Sequence, residues 1–328
     1  VALLKTAAIG DTVLLSAIIR DLSQQGIRVT VFVGSSNYEF AKLIKQHGVG
    51  IERVEKLPLT KPWLALKKIR AQKFDVMIDF DAWPRISALL AGLSCADYKI
   101  GFRTAGQNRH YLFDADFEHR ADQHEIENYR SLVKLIGFSS HSEPQDLSHP
   151  WHASDSKPQI IFHLWPGGTQ SQLKEWVAPH WQSLAQEILK IGDFSFVLTG
   201  APVDRERSEA FIQNLPADLR LKFQNSAGLS LQQTLQLLQE SCLLVSVNTG
   251  IMHVGAALGL PTVGLHGPTN PLRWGPLGSH ARAVLSESPG AGTLNLGFEY
   301  QHQTDYMKDL TVEKVLMSCR ELLLTIQK

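Results

Sequence analysis

Three stretches of the chain carry residues whose types and spacing could do chemistry. The first is Ala7-Ala8-Ile9-Gly10-Asp11, set between the apolar run Val1–Lys5 and the helical spacing of Val13, Leu14, Ala17, Ile18 and Leu22. A carboxylate at the carboxyl end of a strand can take a proton from a bound hydroxyl, so Asp11 is a candidate general base. The same position also suits an ordinary helix cap. The second stretch is Trp165-Pro166-Gly167-Gly168-Thr169-Gln170, followed by Lys174, Trp176, His180 and Trp181. Paired glycines let backbone N–H groups approach an anion; Thr169 adds a hydroxyl and Lys174 a positive charge. The plainer reading is a loop with a solvated lysine, and the tryptophans read as core. The third is Val247-Asn248-Thr249-Gly250-Ile251-Met252-His253, with Gly267-Pro268-Thr269 further on. A buried strand turning into a helix aims unpaired N–H groups at one point, which is a ready anion site. His253 lies one turn in and can face the same anion or simply pack. Three such turns on one edge predict a phosphate-bearing ligand.

Other patterns are weaker. Asp79-Phe80-Asp81 and Asp114-Ala115-Asp116 both read DxD, but no His or Glu cluster supports either, and His149 and His152 stand without further ligands. No metal is therefore expected. Asp79 ends a strand and so can face the ligand side. GxGxxG, GxSxG and GxxxxGK[ST] are all missing, which disfavours dinucleotide, α/β-hydrolase and P-loop chemistry. Lys56, Lys61, Lys67, Lys68, Arg70 and Lys73 follow one another with no acid between them. Such a run is a solvated helix face, or a dock for an anionic acceptor or membrane headgroups.

The elements must bring these stretches together. With 328 residues and 44% hydrophobic content, two domains can each bury a core. Lys+Arg 32 against Asp+Glu 32 leaves no basic excess, so nucleic acid is not an expected partner. Three scattered cysteines make neither a disulfide framework nor a zinc knuckle and fit a reducing, cytoplasmic setting. The opening VALLKTAAIGD lacks the layout of a signal peptide. The uncharged stretch between Glu240 and Arg273 is broken by Asn248, several glycines, Pro261, Pro268 and Pro271, so it reads as a buried βαβ unit and not a membrane span.

Strands are predicted at Val1–Lys5, Arg28–Val33, Asp75–Phe80 and Tyr98–Phe102, alternating with helices near Tyr38–His47, Ile86–Leu93 and Glu125–Ile136. Ser139–Pro158, rich in Ser, His, Pro and Asp, reads as a linker. The alternation then restarts with strands Gln159–Leu164, Phe194–Thr199, Leu243–Val247 and Thr262–Leu265. Its helices are Pro179–Ile191, Asp204–Gln213, Ser230–Glu240, Gly250–Leu258 and a terminal Thr311–Ile326. The fold class is thus α/β, two Rossmann-like doubly wound domains over residues 1–150 and 151–328, with a ligand expected in the cleft between their strand ends. The terminal helix could pack back on the first domain.

Taken together, these residues resemble glycosyltransferase family nine, the ADP-heptose:lipopolysaccharide heptosyltransferases, over nearly the whole chain. LLKTAAIGDTVLLSAII is similar to the family's opening, and KEWVAPHW to its Lys-x-Trp-x-x-x-x-Trp pattern. VSVNTGIMHVGAALGLPTVGLHGPTNP resembles its most specific signature, Asp-[Ser/Thr]-Gly-x-x-His-x-x-Ala-Ala followed by Gly-Pro-Thr, and His124 and Glu127 resemble its His-x-x-Glu. The resemblance implies a GT-B fold and inverting, metal-independent transfer of heptose from ADP-heptose to a lipopolysaccharide core acceptor, with no cofactor. It implies Asp11 as general base. For the donor it implies Thr169, Gln170 and Lys174 on the diphosphate, Asn248, Thr249 and Gly250 at the donor turn, His253 beside it, and Asp204 on the ribose or capping its own helix. Residues 1–150 would take the acceptor, with Lys67, Lys68 and Arg70 toward it or toward the inner membrane, and residues 151–328 the nucleotide-sugar. Two departures stand out: Asn248 replaces the family's Asp, and Asp79-Phe80-Asp81-Ala82-Trp83-Pro84-Arg85 replaces its Asp-x-Gln-Gly. They leave open a family member with another nucleotide-sugar or a surface-polysaccharide acceptor. An NAD-dependent oxidoreductase is disfavoured by the missing GxGxxG. A non-catalytic sugar-nucleotide binding protein is disfavoured by Asp11 and Lys174.

Overall fold

The computed structural model describes residues 1–144, 158–168, 171–293 and 304–326. The chain divides into two compact units, Val1–Ser148 and His149–Lys328. The described part of the expected linker, residues 139–144, has no helix or strand. It is tied to the first helix, where Asp21 accepts from the His141 and Ser142 amides at 2.8 and 3.0 Å. Residues 145–157 of that linker, with His149 and His152, lie outside the described residues.

In the first unit the order is β1 (Ala2–Lys5), α1 (Ile9–Gln24), β2 (Val29–Val33), α2 (Tyr38–Gln46), β3 (Ile51–Lys56), α3 (Pro62–Arg70), β4 (Val76–Asp79), α4 (Arg85–Gly92), β5 (Tyr98–Arg103), β6 (Ala115–Glu118) and α5 (Glu125–Lys134). The second unit runs β7 (Gln159–His163), α6 (Ala178–Leu189), β8 (Ser195–Leu198), α7 (Arg205–Gln213), α8 (Ala217–Arg220), β9 (Phe223–Asn225), α9 (Leu231–Gln239) and β10 (Leu243–Val247). It ends with α10 (Gly250–Ala257), β11 (Thr262–His266), α11 (Pro271–Trp274), β12 (Ala281–Leu285) and α12 (Val312–Ile326).

Each unit is built on a six-stranded sheet, β3-β2-β1-β4-β5-β6 and β12-β11-β10-β7-β8-β9. Every strand pair is parallel. Counted within its own unit, the second order is the same as the first, 3-2-1-4-5-6, which is the Rossmann arrangement. The central strands are buried on both faces, which is why β1, β2 and β10 are mostly apolar without alternation. The edge strands β3, β6, β9 and β12 were not among the expected strands. Helices α3, α4 and the sheet share the core of Leu4, Phe32, Leu57, Ile69, Met77 and Leu90. In the second unit Phe162, Trp176, Trp181, Leu184 and Phe196 pack with Leu316, Cys319 and Leu322 of α12. That confirms the two tryptophans as core.

Such a sheet has one switch point, where consecutive crossovers leave in opposite directions and ligands settle beyond the strand ends. Here the switch points lie between β1 and β4 and between β7 and β10. The turn after β1 is packed closely against the turn after β2: a Cβ at Gly34 would stand 2.1 Å from the Thr6 carbonyl oxygen, so only glycine fits there.

Candidate active site

At the first switch point β1 ends in Lys5 and β4 in Asp79. Asp11 sits in the first turn of α1, but it is not the N-cap; that is Ala8, which has no side chain to cap with. Asp11 serves the helix start from the third helical position, its Oδ2 accepting the Ala8 N–H at 3.1 Å. Its Oδ1 accepts from the Tyr129 hydroxyl at 2.9 Å and faces Lys5 Nζ at 3.4 Å. The Asp11 side chain keeps 20% exposure against 7% for Lys5, and Ala7 and Ala8 beside it are exposed. It is thus a held carboxylate open to a substrate. Burial opposes the Lys5 charge, but the Asp11 and Asp81 carboxylates outweigh it and hold the ammonium above its ordinary value. Burial, reinforced by Asp11, lifts the Tyr129 phenol well above its usual range, so it stays a proton donor. Helix α5 brings Tyr129 in, and one turn earlier Glu125 binds His119 Nε2 at 2.9 Å.

The acidic pair Asp79 and Asp81 does not face the ligand side. Asp79 is fully buried, paired with the Arg109 guanidinium and accepting from Ser87 Oγ at 2.9 Å. Burial pushes its carboxyl up to about 7 while Arg109 pulls the other way. Asp81 is buried too, against Lys5 and Thr6. Asp114 and Asp116 are taken by Lys99 and Arg103 on β5. Among the described residues, no three His, Cys, Asp or Glu side chains gather as metal ligands. His124 caps α5 by accepting from the Ile126 amide, and Glu127 pairs with Arg130.

At the second switch point the polar groups are almost all neutral. The turn after β7 carries Gly168 at φ +89°, a conformation that glycine adopts without strain. Thr169 and Gln170 lie outside the described residues. Half-buried Lys174 donates to the Gly167 carbonyl at 3.2 Å and, among the described residues, meets no carboxylate. Burial lowers its ammonium below the ordinary value. Thr249 is the N-cap of α10 and makes no capping bond, so the amides that open this eight-residue helix remain available to an anion. Asn248 is buried and donates to Thr269 Oγ1 at 2.8 Å, with His266 Nδ1 at 3.2 Å. Burial drives His266 down to about 3 and His163, bonded to Thr199 Oγ1 at 2.8 Å, down to about 4, so both imidazoles are neutral. His253 is buried next to His266. Asp204 accepts from the Ala201 amide at 2.8 Å, which closes the 3-10 turn Pro202–Asp204; it makes no side-chain capping bond to its own helix α7, and it lies 3.9 Å from Arg207. Arg207 in turn covers the Trp165 ring at 3.7 Å.

The basic run falls on α3 and its flanks. Lys68 is spent on Glu55 at 2.7 Å and the Lys56 carbonyl, and Lys73 on Asp97 at 3.2 Å. Lys67 and Arg70 are exposed, and so are Trp63 (67%) and Leu64 (42%) on the same helix. Periodicity alone did not single out Lys5, Tyr129 or Trp63. The available signal for Lys5 was a lysine closing an otherwise apolar strand.

Residues 63–296 match the family model described as glycosyltransferase family 9 (heptosyltransferase). This chain belongs to glycosyltransferase family 9. The enzyme is therefore a glycosyltransferase. It is 25% identical over 320 residues to lipopolysaccharide heptosyltransferase 1 of Escherichia coli strain K12, covering 90% of this chain and 96% of that one. It is 29% identical over 185 residues to lipopolysaccharide heptosyltransferase 2 of Salmonella typhimurium, covering 56% and 52%. Among solved structures, the family 9 fold is shared with E. coli ADP-heptose lipopolysaccharide heptosyltransferase II at TM-score 0.78 and 21% identity, covering 100% and 99%. The E. coli heptosyltransferase solved with ADP matches at TM-score 0.75, also at 21% identity, covering 98% and 99%. These matches make the fold GT-B. Among the described residues of this glycosyltransferase, no helix is long and apolar enough to cross a membrane.

Proposed function

We propose that this glycosyltransferase moves heptose from ADP-heptose to a lipopolysaccharide core acceptor in one inverting, metal-independent displacement. The observation that carries the reading is Asp11: a carboxylate at the switch point of one sheet, held by Ala8, Tyr129 and Lys5 and still 20% exposed. Asp11 takes the acceptor proton as that oxygen attacks the anomeric carbon. The bond from that carbon to the diphosphate breaks on the opposite face, and ADP leaves. The amides of Thr249 and Gly250 at the start of α10, with Lys174, Thr169 and Gln170, receive the diphosphate charge and His253 lies beside it; Asp204 takes the ribose, and Asn248 stands near the sugar.

Residues 1–150 form the acceptor side and 151–328 the nucleotide-sugar side. Lys67 and Arg70, beside exposed Trp63, face the anionic acceptor and the cytoplasmic surface of the inner membrane, while Lys68 is held back by Glu55. A second reading has its own observation. Asn248 is locked to Thr269 and neutral His266, so the donor turn lacks the carboxylate of the family signature, which favours a different donor sugar or a surface-polysaccharide acceptor. The test is an assay against ADP-heptose, ADP-glucose, UDP- and GDP-sugars on a lipopolysaccharide core acceptor, run with EDTA. The first reading expects an inverted product from ADP-heptose alone. Preference for another sugar establishes the second, and activity restored only by a divalent ion removes the metal-independent step.

A further inference from the structure

Beside the proposed base lies a second carboxylate that the reaction does not use. Asp81 is 2% exposed; its Oδ2 accepts the Thr6 amide at 2.9 Å and the Thr6 hydroxyl, and its Oδ1 faces Lys5 Nζ at 3.2 Å. Lys5 Nζ also donates to the Phe80 carbonyl at 3.3 Å and reaches Asp11 Oδ1 at 3.4 Å. The ammonium thus rests on three oxygens, the Phe80 carbonyl by a hydrogen bond and the two carboxylates as ion pairs, a tripod that fixes it in place. The Asn37 amide holds the backbone beneath it, donating to the Lys5 carbonyl at 2.9 Å and to Thr12 Oγ1 at 2.9 Å. From α5, Tyr129 lies under the ammonium at 5.6 Å and Glu125 adds a further negative charge, itself held by His119.

The two carboxylates on this tripod differ in freedom. Asp81 spends both oxygens on Lys5 and Thr6 and is closed to solvent, so it anchors. Asp11 keeps its exposure, so it acts. We propose that Lys5, anchored by Asp81, is the positioning residue that keeps Asp11 aimed at the acceptor hydroxyl, with Tyr129 as the second support. The inference rests on Asp11 being the base. The anchor coincides with one of the two departures from the family pattern: where that pattern has Gln, this chain has the acid that fixes Lys5.

The test is a set of variants read separately for kcat and for ADP affinity by titration calorimetry. Lys5→Met should lower kcat about tenfold or more, the scale on which misplacing a reacting group acts, while ADP affinity stays within about twofold. Lys5→Arg should recover part of the loss. In Lys5→Met/Asp11→Asn the turnover should be no lower than in Asp11→Asn alone, because a residue acting through Asp11 has nothing left to act on. If Lys5→Met does not fold, Lys5→Met/Asp81→Asn removes the anchor's uncompensated charge and is read against the same criteria. Multiplying losses in the double variant, or wild-type kcat in Lys5→Met with Asp11→Asn slow, overturns this inference alone. Wild-type turnover in Asp11→Asn overturns the base assignment and this inference with it.

Discussion

The two switch points share one topology and are furnished in opposite ways. In the first unit, one lysine, two carboxylates and a phenol are locked together beyond β1 and β4. In the second, the groups beyond β7 and β10 are amides, hydroxyls and imidazoles held neutral by burial, with Lys174 as the nearby cation. A charged, mutually braced cluster suits moving a proton. Neutral donors with one cation suit receiving a diphosphate, whose charge would be repelled by any fixed acid nearby. Strand order alone therefore does not assign a role; what fills the strand ends does.

The largest effect should come from the charged side. Asp11→Asn should lower turnover by about 10²–10⁴, the range for losing a general base, with ADP affinity unchanged in calorimetry. The amide keeps one oxygen for Lys5 and Tyr129 but turns its NH₂ toward the Ala8 N–H, so a modest drop in melting temperature should accompany the loss. Turnover near wild type would erase the functional contrast and leave Asp11 as support for a helix start.

A smaller effect is expected on the neutral side. Lys174→Ala should weaken ADP by about 1.5–3 kcal/mol, the value of a charge-assisted hydrogen bond. Equal ADP affinity in the variant and the parent would take Lys174 out of the donor site.

The smallest is a stability effect. Unfolded histidine titrates near 6.5, whereas folded His163 and His266 hold off until about 4 and about 3. Between those values the unfolded chain binds more protons, so stability present above about 6.5 is lost as the pH falls toward 4. Melting curves across that window should flatten by a few degrees (about 2–4 °C per kcal/mol) in His163→Gln, which can keep the Thr199 bond. An unchanged slope would mean that His163 titrates normally.

The contrast was only half legible in the sequence. At the second switch point the turn after β10 is contiguous in the chain: Asn248, Thr249, Gly250 and His253 fall in six residues, so a strand-to-helix turn could be read directly. The first is assembled from β1, the turn after β4 and the middle of α5, so Asp81 showed only as half of an unsupported DxD match and Tyr129 gave no signal. Lys68 likewise read as part of an acid-free run until the fold set Glu55 beside it. The missed strands have a common cause as well. β3, β6, β9 and β12 are the outermost strands of their sheets, and β3 reads Ile-Glu-Arg-Val-Glu-Lys. A strand with neighbours on one side needs no continuous apolar run, so periodicity passes over it.

Those same charges guard the molecule against its own kind. The open rim of a sheet is a template on which another chain's strand can add, the route to aggregation. Glu52, Arg53, Glu55 and Lys56 line β3, Lys45 covers the Glu52 carbonyl at 2.6 Å, and Arg103–Asp116 and Arg282–Glu321 bind the rims at β6 and β12. A strand added at any of these rims would have to strip water from ions or break an ion pair. The residues that conceal the rims from pattern reading are thus the ones that make them poor templates.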